Sequence, residues 1–250
     1  VCTAHPTKTR KEIYMPALLE AKNLEKIYTI GNVETPALRG ASLTVQKGEF
    51  TAIAGPSGSG KSTLLHTLAG LDKPTRGEVF LEGQRIDGKS VVELARMRLS
   101  QFGFVFQAYN LIPVLTALEN AAFVLELQGV GKKEREEKAL EALAVLGMSE
   151  FKDRRPNQLS GGQQQRVAVA RALAADPKII LADEPTANLD KNTSLSLIEY
   201  MKKLNEERGV TFLFSTHDPR LLEYVKRIIS VEDGRVVKDE LVKTQQFQKA

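Results

Sequence analysis

A glycine-rich stretch carries the residue types that bind phosphate. Residues 55–63 read Gly-Pro-Ser-Gly-Ser-Gly-Lys-Ser-Thr and match the pattern G-x-x-x-x-G-K-[ST]. The glycines let backbone N–H groups turn toward phosphate oxygens, and the N-terminus of a following helix adds a favourable dipole. We expect Lys61 to reach the β- and γ-phosphates and the Ser62 hydroxyl to bind Mg²⁺. The alternative is a flexible loop without a ligand, but the apolar run before the motif and the helical pattern after it favour a nucleotide site.

Two adjacent carboxylates, Asp183 and Glu184, follow a second apolar run. A buried strand that delivers a carboxylate beside a phosphate loop is a common way to hold Mg²⁺. Many strands end in acidic residues, so this interpretation depends on the phosphate loop. With that loop present, Asp183 is predicted to support Mg²⁺, and Glu184 is the best candidate to polarise an attacking water.

A third motif reads Leu-Ser-Gly-Gly-Gln-Gln-Gln-Arg at residues 159–166. A serine and two glycines at the start of a helix form another N-terminus suited to phosphate. One nucleotide does not need two such helix ends in one chain. Residues 159–163 match the LSGGQ signature, and the sequence resembles the ATP-binding cassette subunits of ABC transporters over residues 18–240, with the motifs in that family's order.

The resemblance implies roles for three further residues and one loop. Tyr28 matches the aromatic residue that stacks on adenine, and Gln107 matches the glutamine that contacts Mg²⁺ and water. Residues 188–190 match the loop that crosses to a partner subunit, although Asn188 replaces the commoner small residue. His217 matches the histidine that contacts the γ-phosphate. The alternatives are a half-buried strand tyrosine, a solvated loop glutamine and a surface histidine.

The motifs and the resemblance together define three groups of candidate residues. The catalytic candidates are Glu184, His217, Gln107 and Lys61. The Mg²⁺ candidates are Ser62, Gln107 and Asp183. The ATP-contacting candidates are Tyr28, Gly55, Pro56, Ser57, Gly58, Ser59, Gly60, Lys61, Ser62, Thr63, Ser160, Gly161, Gly162, Gln163 and Asp190. His66 is interpreted as a residue of a helix face without a role in the site.

These residues need a scaffold in which strands and helices alternate. Such alternation predicts an α/β fold, and the resemblance specifies a P-loop NTPase core with a mainly parallel sheet, an antiparallel β subdomain and an inserted α-helical lobe. The predicted strands and turns are Leu19–Tyr28, Leu38–Val45, Phe50–Ala54, Val79–Glu82, Phe102–Phe106, Lys178–Ala182, Val210–Ser215 and a hairpin over 228–238 with a turn at Asp233-Gly234.

The predicted domain is single and spans residues 15–240. Residues 15–90 and 175–240 are assigned to the core, and residues 91–174, mostly helical in pattern, to the inserted lobe. Residues 1–14 are expected to be a dispensable leader or a start artefact, with a short ordered extension as the alternative. Residues 241–250 are expected to form a C-terminal tail.

The composition excludes several classes of protein. The chain has 250 residues, of which 42% are apolar and 26% charged, with a net charge of +4 and one cysteine. This argues against disorder and against a disulfide scaffold. No run reaches the ~18 apolar residues of a membrane span. The small net charge does not indicate nucleic acid binding, and the charged run 132–138 is interpreted as a solvated helix face.

The resemblance also implies how the protein works and with what. Two copies would face head to tail, with each ATP between the phosphate loop of one and residues 160–162 of the other. Separate membrane permease subunits would place the chain at the cytoplasmic face of the inner membrane. Residues 35–40, 71–75 and 102–111 are similar to ATPase subunits of lipoprotein-releasing, macrolide-exporting and cell-division systems.

Lipoprotein release or export is therefore the predicted process, and mechanotransmission in cell division is the main alternative. A soluble ABC protein acting on ribosomes is disfavoured because such proteins usually carry two cassettes, whereas one phosphate loop is found here. A DNA-repair ATPase is disfavoured because too few residues separate Gln107 from Ser160 for a long coiled coil.

Overall fold

The computed structural model describes residues 16–242. The predicted leader at 1–14 and most of the predicted tail lie outside that range. The strands are β1 (Leu19–Ile30), β2 (Val33–Val45), β3 (Phe50–Ala54), β4 (Arg76–Leu81), β5 (Gln84–Arg85), β6 (Phe102–Val105), β7 (Ile179–Asp183), β8 (Thr211–Thr216), β9 (Arg227–Glu232) and β10 (Arg235–Leu241). The α-helices are α1 (Lys61–Leu68), α2 (Val91–Gln101), α3 (Ala117–Leu127), α4 (Lys132–Val145), α5 (Gly161–Ala174), α6 (Lys191–Arg208) and α7 (Pro219–Leu222).

A six-stranded sheet in the order β10-β9-β3-β8-β7-β6 forms the centre of the molecule. Its strands are parallel except for β10, which pairs antiparallel with β9. Every residue of β3 and β8 is buried, as is typical of parallel strands covered on both faces. A second sheet, β2-β1-β4-β5, is antiparallel. This architecture confirms the predicted α/β class with its antiparallel β subdomain.

Apolar side chains lie on both faces of the central sheet because strand residues alternate in direction. Phe212 and Phe214 of β8 pack in a cluster with residues of α3, α5 and α6. Leu213, between them, packs in a second cluster with α1 and the antiparallel sheet. The strand ends are therefore held rigidly between two apolar layers.

The segment 91–174 is less uniformly helical than its assignment to an inserted lobe implies. Within it, β6 pairs in parallel with β7 and belongs to the central sheet. A Cβ on Gly103 of β6 would lie 3.0 Å from the Ala172 carbonyl oxygen of α5. Glycine thus lets α5 lie close against the sheet. The helices that pack together outside the sheet are α3, α4 and α5.

The C-terminal hairpin matches its prediction, whereas two short elements were not predicted. The hairpin between β9 and β10 turns at Asp233 and Gly234, both with positive φ, as predicted. The short strand β5 and the one-turn helix α7 had no counterpart in the sequence interpretation. No helix within residues 16–242 is both long and apolar enough to cross a membrane.

Candidate nucleotide-binding site

The phosphate loop, residues 55–60, connects the end of β3 to the start of α1. Its backbone is left-handed at Gly58 (φ 80°) and Gly60 (φ 100°). A Cβ on Gly60 would lie 2.5 Å from the Ala37 carbonyl oxygen, so a larger residue does not fit there. A Cβ on Gly58 would meet nothing within 4 Å. The loop is therefore tightly packed at Gly60 and open at Gly58. This arrangement allows a phosphate to approach the backbone N–H groups closely.

Lys61 is buried, and the loop itself binds its ammonium group. Its Nζ donates to the carbonyl oxygens of Gly55 at 2.9 Å and Pro56 at 2.8 Å. The buried hydroxyl of Ser59 has no hydrogen-bond partner among residues 16–242. A bound anion can accept hydrogen bonds from buried donors such as these, one of which has exchangeable partners and the other none. The loop therefore fits the phosphates of a nucleotide.

Asp183, the last residue of β7, lies against Ser62 of α1. The Ser62 hydroxyl donates to Asp183 Oδ1 at 2.8 Å, and the Ser215 hydroxyl donates to the same oxygen at 2.7 Å. Burial acts to raise the pKa of Asp183, but the nearby His66 ring and the hydrogen bonds from Ser215 and Ser62 outweigh it and hold the pKa below its usual range. The carboxylate is therefore ionised at neutral pH.

The donor set at Ser62 and Asp183 consists of oxygen atoms only. Mg²⁺ prefers oxygen ligands and usually keeps several waters, completing its shell with substrate phosphates. Within residues 16–242, no cluster of three or more His, Cys, Asp or Glu residues could enclose a metal. One carboxylate and one hydroxyl next to a phosphate loop fit a Mg²⁺ that is held jointly by protein and nucleotide.

Glu184 follows Asp183 but occupies a different environment. Its backbone is left-handed, with φ 46°, a costly conformation for glutamate that is often found at functional sites. One carboxylate oxygen lies 2.7 Å from Nδ1 of His217, and the other accepts from the Thr216 hydroxyl at 3.4 Å. The Glu184 side chain is 12% exposed and His217 59% exposed. The pair thus lies at the carboxyl end of β7 and β8, where α/β folds bind ligands.

Tyr28 of β1 is fixed near the beginning of α1. Its hydroxyl donates to Asp72, whose other oxygen accepts from Lys26 Nζ at 2.5 Å. Burial raises the pKa of the Tyr28 hydroxyl, the hydrogen bond to Asp72 adds to this, and the nearby Thr63 side chain opposes it. Because Thr63 belongs to the phosphate motif, the tyrosine ring lies beside the nucleotide site. Tyr28 is 38% exposed, so its ring is accessible for stacking.

The N-terminus of α5 is closed by a capping box. Ser160 accepts from the Gln163 N–H at 3.3 Å, and the Gln163 side chain accepts from the Ser160 N–H at 2.8 Å. A Cβ on Gly162 would lie 2.0 Å from Thr193 Cγ2, so this glycine allows α6 to pack closely. Within the described residues, no hydrogen bond connects residues 160–163 with residues 55–63.

Asp190 and Gln107 flank the loop between β7 and α6. The Asp190 carboxylate caps α6 by accepting from the N–H groups of Asn192 and Thr193. Gln107 is exposed, and its carbonyl oxygen accepts from the Asn188 side chain at 3.0 Å. The contacts of Gln107 and Asp190 with nucleotide therefore stay predictions.

The fold thus brings together Tyr28, residues 55–63, Asp183, Glu184 and His217 around the end of the central sheet. Three contributors were not identified from sequence: Asp72, Ser215 and His66. Ser215 and Asp72 reach the site through tertiary packing, so local patterns contain no signal for them. His66 had one available signal, since it stands four residues after Ser62 and therefore on the same helix face.

A phosphate loop, a carboxylate facing its serine, and a Glu–His pair at the end of a parallel sheet define a P-loop nucleotide hydrolase. Comparison with known proteins specifies the family. The sequence model of the family described as "ABC transporter" matches residues 38–187. An uncharacterized ABC transporter ATP-binding protein of Thermotoga maritima is 49% identical over 222 residues, which are 89% of this chain and 94% of that protein.

Two other proteins extend the comparison. The macrolide export ATP-binding/permease protein MacB of Hyphomonas neptunium is 45% identical over 224 residues, covering 90% of this chain and 35% of that protein. The solved dimeric structure of an ATP-binding cassette in a post-hydrolysis state, bound to ADP and Pi, has a TM-score of 0.84 and 45% identity over 92% of this chain and all of that one. The chain belongs to the ATP-binding cassettes of ABC transporters and is an ABC-type ATPase, which confirms the resemblance.

Proposed function

We propose that this chain hydrolyses Mg²⁺-ATP to drive membrane permease subunits in lipoprotein release or export. The observation that carries the proposal is the Glu184–His217 pair, placed by β7 and β8 next to the Ser62–Asp183 pair. A carboxylate at a strand end beside the phosphate loop is where a water in line with the γ-phosphate can be oriented. Beyond this, the site must position the ATP phosphates and neutralise the negative charge that develops on them during hydrolysis.

Each residue contributes one part of the proposed hydrolysis. The loop N–H groups and Lys61, released from its two loop carbonyls, bind the phosphates. Ser62 and Asp183 would hold Mg²⁺, which supplies charge neutralisation at the phosphate oxygens. Glu184 orients the attacking water and accepts its proton. His217 holds the Glu184 carboxylate through Nδ1 and contacts the γ-phosphate with the rest of its ring.

The proposed working unit is a head-to-tail homodimer. The solved relative at 45% identity is described as a dimer bound to ADP and Pi. The N-terminus of α5 makes no hydrogen bond with the phosphate loop of its own chain within the described residues. Its dipole can stabilise the γ-phosphate of an ATP held by a second copy. ATP binding would then favour closure, and hydrolysis would weaken it.

Export is favoured over other transport processes by the likeness to MacB, which is described as an ATP-binding/permease protein. By analogy, this chain would act with permease subunits and lie peripherally at the cytoplasmic face of the inner membrane. Co-purification of the tagged chain from its native membrane, with mass spectrometry of the captured proteins, tests this assignment. Recovery of integral membrane permease proteins supports it, and recovery of ribosomes or DNA instead contradicts it.

The central test of hydrolysis is Glu184→Gln. The amide keeps the size of the side chain but cannot accept a proton, so we expect ATP binding to be retained and turnover to fall by about 10²–10⁴-fold, the usual contribution of a general base. The measurement is phosphate release together with the ATP-induced rise in Tm. Glu150→Gln, at an exposed position of the 3-10 turn Ser149–Phe151, is the matched control and should behave like wild type. Undiminished hydrolysis in Glu184→Gln would contradict the proposed function.

A further inference from the structure

His66 on α1 presents an unexplained buried nitrogen to the candidate Mg²⁺ site. Its Nε2 lies 3.4 Å from Asp183 Oδ2. That nitrogen is buried and has no hydrogen bond of ordinary geometry among residues 16–242. The side chain as a whole is 35% exposed, so the ring is not a core residue enclosed on all sides. A buried polar atom facing a single carboxylate oxygen requires an explanation.

The Asp183 carboxylate is constrained unequally at its two oxygens. Oδ1 accepts from both Ser62 and Ser215, at 2.8 and 2.7 Å. Oδ2 faces His66 Nε2. Rotation about the last side-chain torsion of aspartate is soft, so hydrogen bonds at one oxygen alone leave the carboxylate plane poorly defined. A donor at Oδ2 would define it.

The position of His66 on α1 suits it to that task. Ser62 and His66 are one turn apart on the same face, and this face looks toward the end of β7. Ser62 occupies one oxygen of Asp183 and His66 the other. A hydrogen bond from His66 would therefore complete a pair of contacts that hold the carboxylate against the helix that begins at the phosphate loop.

We propose that His66 is a positioning residue for Mg²⁺, donating from Nε2–H to Asp183 Oδ2 and fixing the plane of the carboxylate. The inference rests on the proposed function, in which Asp183 and Ser62 hold Mg²⁺ together with ATP. Substitution of a residue that hydrogen-bonds to a metal ligand typically lowers the affinity for the metal 10–100-fold. Contacts of this kind are often long without substrate and shorten in the loaded site. The neutral tautomer with Nε2 protonated is sufficient, so the role requires no change of charge.

The test uses the full chain and three variants. His66→Leu removes the donor, whereas His66→Gln places an amide N–H near the position of Nε2. Thr67→Val is the control on the same helix, since the Thr67 hydroxyl donates only to the Thr63 carbonyl oxygen within α1. The readout is the ATP-induced rise in Tm across a Mg²⁺ titration and, separately, in EDTA.

We expect His66→Leu to need about tenfold more Mg²⁺ for half-maximal stabilisation, while its stabilisation by ATP in EDTA is unchanged. His66→Gln and Thr67→Val should titrate like wild type. If His66→Leu does not fold, His66→Asn replaces it, because its shorter side chain does not reach Oδ2. A purely structural role would lower Tm equally with and without Mg²⁺, and that result overturns the inference. Failure of His66→Gln to restore the Mg²⁺ response also overturns it.

Asp183→Asn separates this inference from the proposed function. Loss of the Mg²⁺ response in Asp183→Asn, together with a wild-type response in His66→Leu, overturns the role of His66 alone. A wild-type Mg²⁺ response in Asp183→Asn overturns the proposed metal site, and the role of His66 with it.

Discussion

Two carboxylates adjacent in the chain have different predicted roles because their surroundings differ. Asp183 is the last residue of a buried strand, and two hydroxyls donate to one of its oxygens. Glu184 leaves the strand through a left-handed turn and pairs with a largely exposed histidine. The first arrangement suits a stationary ligand of a cation, and the second suits a group that handles water.

A prediction at the residue scale concerns the orientation of Tyr28. Asp72 binds both the Tyr28 hydroxyl and the Lys26 ammonium group. Asp72→Ala should free the ring and weaken its stacking on adenine, raising the KM for ATP about fivefold, roughly 1 kcal/mol, with kcat unchanged. Steady-state kinetics at saturating Mg²⁺ measure both constants.

Tyr28→Phe is the companion variant for this prediction, since it keeps the ring and removes the hydroxyl. It should raise KM by a similar or smaller factor. If Asp72→Ala lowers kcat while KM stays constant, Asp72 does not act through the adenine site.

At the scale of elements, one short loop connects three parts of the fold. The loop between β7 and α6 accepts a hydrogen bond from Gln165 of α5 at the Pro185 carbonyl oxygen, at 2.9 Å. Its Asn188 side chain donates to the Gln107 carbonyl oxygen, just after β6, at 3.0 Å. The strand end that presents Glu184 is therefore held from both the α5 side and the β6 side.

Asn188→Ala tests this connection. Loss of one largely exposed hydrogen bond should lower the free energy of unfolding by only about 1 kcal/mol. It should nevertheless speed amide hydrogen exchange at residues 107–110 and 186–189, because the two segments lose their link. Hydrogen-exchange mass spectrometry measures this effect. Asn192→Ala, an exposed asparagine of α6, should leave both segments unchanged; equal acceleration in both variants would contradict the link.

At the scale of the whole molecule, the proposed dimer predicts that two inactive variants can complement each other. Lys61→Ala disables the phosphate loop, and Ser160→Arg disables the α5 N-terminus. In a mixed dimer one of the two sites keeps both intact halves. Equal mixing should therefore restore about a quarter of wild-type ATPase activity if the sites act independently in a two-fold dimer.

Ser90→Arg is the matched control for the loss of a helix cap. Ser90 caps α2 with the same type of capping box, formed with Glu93, but no site role is predicted for it. The Ser90→Arg variant should lower the free energy of unfolding by only about 1 kcal/mol, the usual contribution of a helix cap. Its ATPase activity should be that of the wild type. Absence of activity in the Lys61→Ala and Ser160→Arg mixture, with both proteins folded, would argue against shared sites.

Local sequence patterns determined the motifs and most elements of this protein. The phosphate loop, the capped start of α5 and the acidic end of β7 are contiguous stretches whose residue types dictate backbone geometry directly. The parallel strands are equally visible, because burial on both faces demands continuous apolar runs. Their physical basis is local, so no partner segment was needed to predict them.

Only the tertiary structure decided which of these pieces meet. Ser62 and Asp183 are 121 positions apart, and His217 reaches Glu184 only because β7 and β8 are neighbours in the sheet. The pairing of β6 with β7 showed that β6 belongs to the central sheet. The packing of α1 against the end of β7 placed His66, predicted only as a helix-face residue, next to Asp183. Such contacts depend on long-range pairing and burial, which short-range periodicity does not encode, and they supply the geometry on which the chemistry depends.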